Sequence, residues 1–235
     1  MSRLIFDIET VGENFDTLDP TTQESLSWWI KQEAEDEKEY ERTLADLKNR
    51  LGFSPLTGEI VAIGVLDYER NQGVVYFQAP NEKIKETSEG NFKFKPLNEK
   101  EMLESFWEGA KKYDEFISFN GRAFDAPFLS IRSAVHEIRP TVDLLQGRYL
   151  YQQRGVKHID LLEQLTSYGA LRKKGSLHLW ARAFGIQSPK AAGISGDDVG
   201  RLFNEKKYLD IAKYNTGDLV ATKELYSRWE KYLRF

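Results

Sequence analysis

Cysteine is absent from this chain of 235 residues, which excludes disulfides, thiolate metal sites and a cysteine nucleophile. Histidine occurs three times, too few for a histidine-based zinc cage. Any bound metal is therefore expected to be held by oxygen. No run of about 18 apolar residues occurs, so the sequence predicts neither a membrane span nor a membrane partner. Met1-Ser2-Arg3 leads straight into an apolar stretch without a leader-like segment, which argues against secretion and for a cytoplasmic protein. A basic surplus is also missing: 33 Lys and Arg stand against 37 Asp and Glu, a net charge of −4. That balance argues against coating duplex nucleic acid by phosphate neutralisation. It leaves room for an enzyme that grips only a strand end, where bound cations supply the local positive charge.

What is present suffices for a sizeable core, with 40% hydrophobic and 30% charged residues. Arg3–Ile8 reads as a central strand, with Leu4, Phe6 and Ile8 on one face and Ile5, Asp7 and Glu9 on the other. Asp19-Pro20 opens a helical insertion over about residues 18–52, Asp at the cap and Pro in the first turn. Its Trp28 and Trp29 are expected to pack the insertion onto the body, ahead of the alternative that they flank a substrate groove. Residues 59–68 and 73–79 predict an antiparallel hairpin, whereas the lysine-rich stretch 81–96 is expected to loop out. Asn98 and Glu101 have capping-box spacing and open a helix through Lys112. Residues 115–119 and 157–161 read as strands and 127–136 as a helix. Ser176 caps a helix ended by Gly185, and a long helix runs from about Tyr208. Strands followed by alternating strands and helices describe an α/β sandwich on one mixed sheet, a single domain over 1–235.

Three segments present acids where a metal-dependent nuclease needs them. In Phe6-Asp7-Ile8-Glu9-Thr10, Asp7 and Glu9 are two apart on a strand and leave the same face. Acid-x-acid pairs arise roughly six times by chance in a chain this acidic, so placement carries the weight. Two carboxylates at the end of an apolar strand carry a desolvation and repulsion cost unless cations or solvent compensate it. Strand ends are also where open α/β sheets place their sites. In Tyr214-Asn215-Thr216-Gly217-Asp218, Tyr214 and Asp218 stack one helical turn apart, with Asp218 about 100° around from the core residue Leu219. Chance supplies about 0.7 such Tyr-x-x-x-Asp matches. Asp125, before Ala126-Pro127, can cap the next helix; beside the other acids it reads as a metal ligand. Asn120 and Gly121 lie in the preceding loop, where an amide can contact a nucleotide.

Together these segments resemble the DEDD exonuclease superfamily of ribonuclease-H-like fold, in its tyrosine-bearing subgroup. The resemblance is to the proofreading exonuclease domain of family B DNA polymerases and to stand-alone bacterial proteins related to it. Asp7 and Glu9 fall in the first motif, Asn120 to Asp125 in the second, Tyr214 to Asp218 in the third. The stretches Pro55-Leu56-Thr57-Gly58-Glu59-Ile60-Val61 and His158-Ile159-Asp160-Leu161 resemble the stand-alone proteins. Asn215 departs from the pattern, standing where polymerase domains often carry Cys.

The resemblance implies a five-stranded mixed sheet flanked by helices and a free-standing nuclease. It also implies two Mg²⁺ or Mn²⁺ ions, one on Asp7, Glu9 and Asp218, the other on Asp7 with Asp125 and waters. Such hard cations take carboxylate oxygens. A pair of them activates water and neutralises charge on the attacking and leaving oxygens. Tyr214 is implied to orient the water, and Thr10 and Asn120 to contact substrate. The implied reaction shortens single-stranded DNA from its 3′ end and releases nucleoside 5′-monophosphates. RNA as substrate, or a non-catalytic nucleic-acid-binding module of the same fold, are the alternatives.

Three further features have plainer readings. Asp160 is expected to cap a helix rather than act as an extra ligand. Arg172-Lys173-Lys174 reads as a solvated loop before a phosphate contact. The mixture of Lys83, Lys85, Lys93 and Lys95 with Phe92 and Phe94 reads as an exposed hairpin before a single-strand platform.

Overall fold

The computed structural model describes residues 2–188 and 196–234. Its centre is β1 (Arg3–Gly12), which pairs antiparallel with β2 (Gly58–Asp67) and, over Arg3 to Ile5, parallel with β6 (Glu115–Ser118). Outward from β2 follow β3 (Gln72–Phe77), β5 (Phe92–Pro96) and β4 (Thr87–Glu89); outward from β6 lies β7 (Lys157–Asp160). The sheet thus has seven strands in the order β4-β5-β3-β2-β1-β6-β7.

The expected five strands are all present. The stretch 81–96, expected to loop out, adds the other two. Its Phe-Lys-Phe-Lys alternation buries Phe92 and Phe94 against the sheet while β5 pairs parallel with β3. Those phenyl rings are therefore unavailable for stacking on nucleic acid.

Both faces of β1 are covered, as its two-sided apolar pattern requires. Leu4, Phe6 and Ile8 pack with α3 (Glu99–Ala110) and α4 (Asp125–Val135) through Met102, Phe106, Phe128 and Leu129. The capping box of Asn98 and Glu101 starts α3 as its spacing predicts. The opposite face carries Ile5 and Val11 beneath α8 (Tyr208–Tyr232), with Leu219, Leu225 and Tyr226 inward.

The insertion forms α1 (Pro20–Glu33) and α2 (Glu37–Arg50), with Asp19 capping α1 through the amides of Thr21 and Thr22. Ser27 and Ile30 face inward, while Trp28 is 55% and Trp29 37% exposed. The expected packing role of the two indoles is therefore not met. At 100° per residue they fall beside the buried stripe rather than on it. The remaining helices are short: α5 (Leu161–Leu165), α6 (Leu177–Ala183) and α7 (Val199–Asn204). Ser176 occupies the N-cap position of α6 without a side-chain capping bond, and Gly185 follows its end at φ 66°. Among the described residues no helix is long and apolar enough to cross a membrane.

Candidate active site

The C-terminal half of β1 leaves β6 behind. Parallel pairing stops at Ile5–Ile117, so the Ile8 amide has no strand partner on that side. Asp125, at the start of α4, takes its place and accepts that N–H at 2.9 Å through Oδ1. On the other side, pairing with β2 shifts register between Glu9 and Thr10, an irregularity of the kind found beside active sites. Asp7 and Glu9 project toward α8 from this last regular stretch. Gly64 stands directly opposite Asp7 in the register and leaves space above the sheet where another residue would project a side chain. Into that space α8 brings Asn215, with Tyr214 and Asp218 beside it.

The result is a compact acidic cluster. Asp7, Glu9 and Asp218 each offer a carboxylate oxygen, and the three atoms lie within 4.8 Å of one another. Glu9 is buried at 7% exposure and Asp125 at 3%, while Asp7, Tyr214 and Asp218 are half-buried. Burial and the charges of Asp125, Asp218 and Glu9 hold the Asp7 carboxyl well above its usual range. Burial and Asp218 do the same to Glu9, partly offset by the Asn215 amide. Burial pushes Asp125 up to about 7 against the stabilising hydrogen bond from Ile8. Burial and the surrounding carboxylates keep the Tyr214 phenol protonated far above its ordinary value. Carboxylate oxygens this close are a donor set suited to a hard divalent cation.

The loop from β6 to α4 is fixed from below. Asp160, ending β7, accepts the amide N–H groups of Asn120 at 2.9 Å and Arg122 at 3.0 Å, and caps α5 through Leu162 at 2.9 Å. Its expected capping role is present, and the grip on the loop adds a positioning one. Asn120 sits at φ 64°, a left-handed conformation that Asn tolerates better than most residues. Gly121 is needed for space, because a Cβ there would lie 2.2 Å from Ser118 Oγ and 3.4 Å from Asp125 Oδ2. His158 supports the same floor, with Nε2 2.8 Å from Ser118 Oγ and Nδ1 2.9 Å from the Leu144 carbonyl. Burial lowers its pKa to about 4, so it stays neutral.

A cleft opens over the cluster, lined by Asp7, Tyr214 and Asp218 together with Phe119, Leu177 and His178. The last three escaped sequence reading. Phe119 reads as a strand end, and Ser-Leu-His reads only as the start of a short helix. Thr10 lies past the register shift and donates its hydroxyl to the Gly52 carbonyl at 2.6 Å, tying β1 to the end of the insertion. The triplet Arg172-Lys173-Lys174 is exposed in a loop, as expected.

The fold has a counterpart in the family B DNA polymerase of the hyperthermophilic archaeon Pyrobaculum calidifontis, at a TM-score of 0.58 and 19% identity. The similarity covers 97% of this chain and 24% of that polymerase, so the chain corresponds to about a quarter of its length. The mixed sheet flanked by helices is thereby of ribonuclease-H-like type. A search of curated proteins found no match. Residues 57–233 match the family described as predicted 3′–5′ exonucleases related to the exonuclease domain of PolB. With about three quarters of its length inside that match and its carboxylates clustered on one sheet face, the chain belongs to this exonuclease family.

Proposed function

We propose that this protein is a divalent-metal-dependent 3′–5′ exonuclease acting on single-stranded DNA. It would hydrolyse the terminal phosphodiester and release a nucleoside 5′-monophosphate. The observation carrying this reading is the meeting of Asp7, Glu9 and Asp218 from β1 and α8, within 4.8 Å, in a cleft that Tyr214 also lines. A family match to 3′–5′ exonucleases supports the direction of attack.

The carboxylates fit Mg²⁺ or Mn²⁺, with Asp7, Glu9 and Asp218 as one ligand set and Asp7 with Asp125 as a second. When bound, such ions lower the pKa of water and neutralise charge on the attacking and leaving oxygens. The chain's own residues supply positioning. Asp125, tied to the Ile8 amide through Oδ1, stands close enough for its charge to act on Asp7. Tyr214 remains a phenol, so it can donate to or accept from a water beside Asp218 without itself acting as a base. Phe119 and Leu177 form an apolar wall against which a terminal nucleoside can rest, with His178 and Ser176 at the same wall. Asn120 and Thr10, which are not among the residues lining this cleft, are the further proposed substrate contacts.

The test is digestion of a 5′-labelled oligonucleotide with Mg²⁺ or Mn²⁺, run on matched DNA and RNA. A ladder shortening from the 3′ end is expected, faster on DNA. Asp7→Ala should abolish it while the circular dichroism spectrum stays native. A ladder undiminished in that variant would remove the assignment, and faster cutting of RNA would move the substrate to RNA. Intact strands with both metals would favour a binding module.

A further inference from the structure

Asn215 is fully buried, at 0% exposure, in the helix that carries Tyr214 and Asp218. Its side-chain nitrogen donates to Asp7 Oδ2 at 2.8 Å and, more weakly, toward Glu9 Oε1 at 3.4 Å. Its carbonyl oxygen has no hydrogen-bond partner. That oxygen points at Gly64, where an added Cβ would stand 1.7 Å away. Gly64 is also the register partner of Asp7. The glycine, the amide and the two strand carboxylates therefore form one unit.

Packing alone does not account for an amide here. Leucine has the same branching and number of side-chain heavy atoms and would leave no orphan acceptor in the core. The amide's distinctive property is a donor without charge. A Lys or Arg in its place would neutralise the carboxylates and compete with a cation for them. An amide orients the same oxygens, leaves their negative charge intact, and occupies only part of the acceptor capacity that each carboxylate offers.

We propose that Asn215 is a positioning residue, holding Asp7 and Glu9 in the orientation in which they and Asp218 face one divalent cation. This rests on the reading of the cluster as a cation site. Groups that orient metal ligands through hydrogen bonds change affinity by about 10–100-fold when removed.

Calorimetric titration of Mn²⁺ into the full chain tests it, using Asn215→Leu, which keeps the branched shape, and Asn215→Ser, which cannot overpack. Both variants should bind Mn²⁺ about 10–100-fold more weakly. Their kcat/KM at limiting Mn²⁺ should fall by a similar factor and recover at excess metal. KM for the strand should stay within about twofold. In the wild-type protein, which needs no variant to fold, the side-chain amide resonances of Asn215 should shift on addition of Mg²⁺. Variants with lowered Tm but wild-type Mn²⁺ affinity would show a purely structural role and overturn the proposal, as would an unmoved Asn215 resonance. Weakened Mn²⁺ binding in the variants beside a wild type that cuts neither DNA nor RNA would uphold the positioning role and defeat the nuclease reading. A wild type that binds no Mn²⁺ would defeat both.

Discussion

Replacing Asp7 by Asn should make the metal-free protein more stable while destroying its activity. Asn keeps the volume and an acceptor for the Asn215 amide, and removes one charge from the cluster. Two unit charges 4.8 Å apart repel by about 3.5 kcal/mol at an effective dielectric near 20. Asp7 has Glu9 and Asp218 within that distance, but proton uptake relieves part of the repulsion. A net gain of about 2–4 kcal/mol at pH 8 is therefore expected, or roughly 4–16 °C in Tm for a chain of this size.

The sign follows from linkage. Asp7, Glu9 and Asp125 all have folded pKa values raised above their unfolded ones. Their contribution is most favourable below the unfolded values, near pH 4, and is lost as pH rises; for Asp125 the loss runs through about 7. The advantage of Asp7→Asn should therefore be large at pH 8 and small at pH 5. Thermal melts by circular dichroism in a chelator at both pH values would measure it. Saturating Mn²⁺ should reverse the order by stabilising the wild type alone. An Asp7→Asn protein melting at or below the wild type in chelator at pH 8 would refute the claim of repulsion within the cluster.

Other perturbations have separate signatures. Tyr214→Phe should lower kcat by about 10–100-fold with Mn²⁺ affinity unchanged by calorimetry, because only the hydroxyl is removed. Glu99 is buried and joins Arg132, His136 and the Ile60 amide, so Glu99→Ala should cost about 3–5 kcal/mol in urea unfolding. Its folded pKa is lowered, so its stabilisation is present above the unfolded value and fades as pH falls through the folded one. Asp160→Ala removes a helix cap and two loop anchors and should cost about 2–4 kcal/mol, with faster amide exchange at Asn120 and Arg122.

The parts legible in the sequence were those governed by local pattern. The two-sided apolar run of β1, the capping box before α3 and the four-residue spacing of Tyr214 and Asp218 each encode their own geometry. What stayed hidden depends on distant partners. Phe92-Lys93-Phe94-Lys95 does alternate with the strand period, but its parallel seat on β3 cannot be read inside a lysine-rich stretch. The exposure of Trp28 and Trp29 is decided by which stripe of α1 meets the body, and two adjacent indoles do not mark that stripe. Asn215 looked like a neutral departure in a motif. Its setting emerges only when Gly64, on a strand far away in the chain, lies opposite Asp7 and makes room for it. The cleft wall of Phe119, Leu177 and His178 likewise joins two segments with no shared signal.

Anomalous diffraction from crystals grown with Mn²⁺ addresses the metal site most directly. Two peaks are expected, one within about 2.0–2.4 Å of oxygens from Asp7, Glu9 and Asp218, the other between Asp7 and Asp125. Density empty of manganese at these four carboxylates, in crystals of protein that still degrades a strand, would contradict the account.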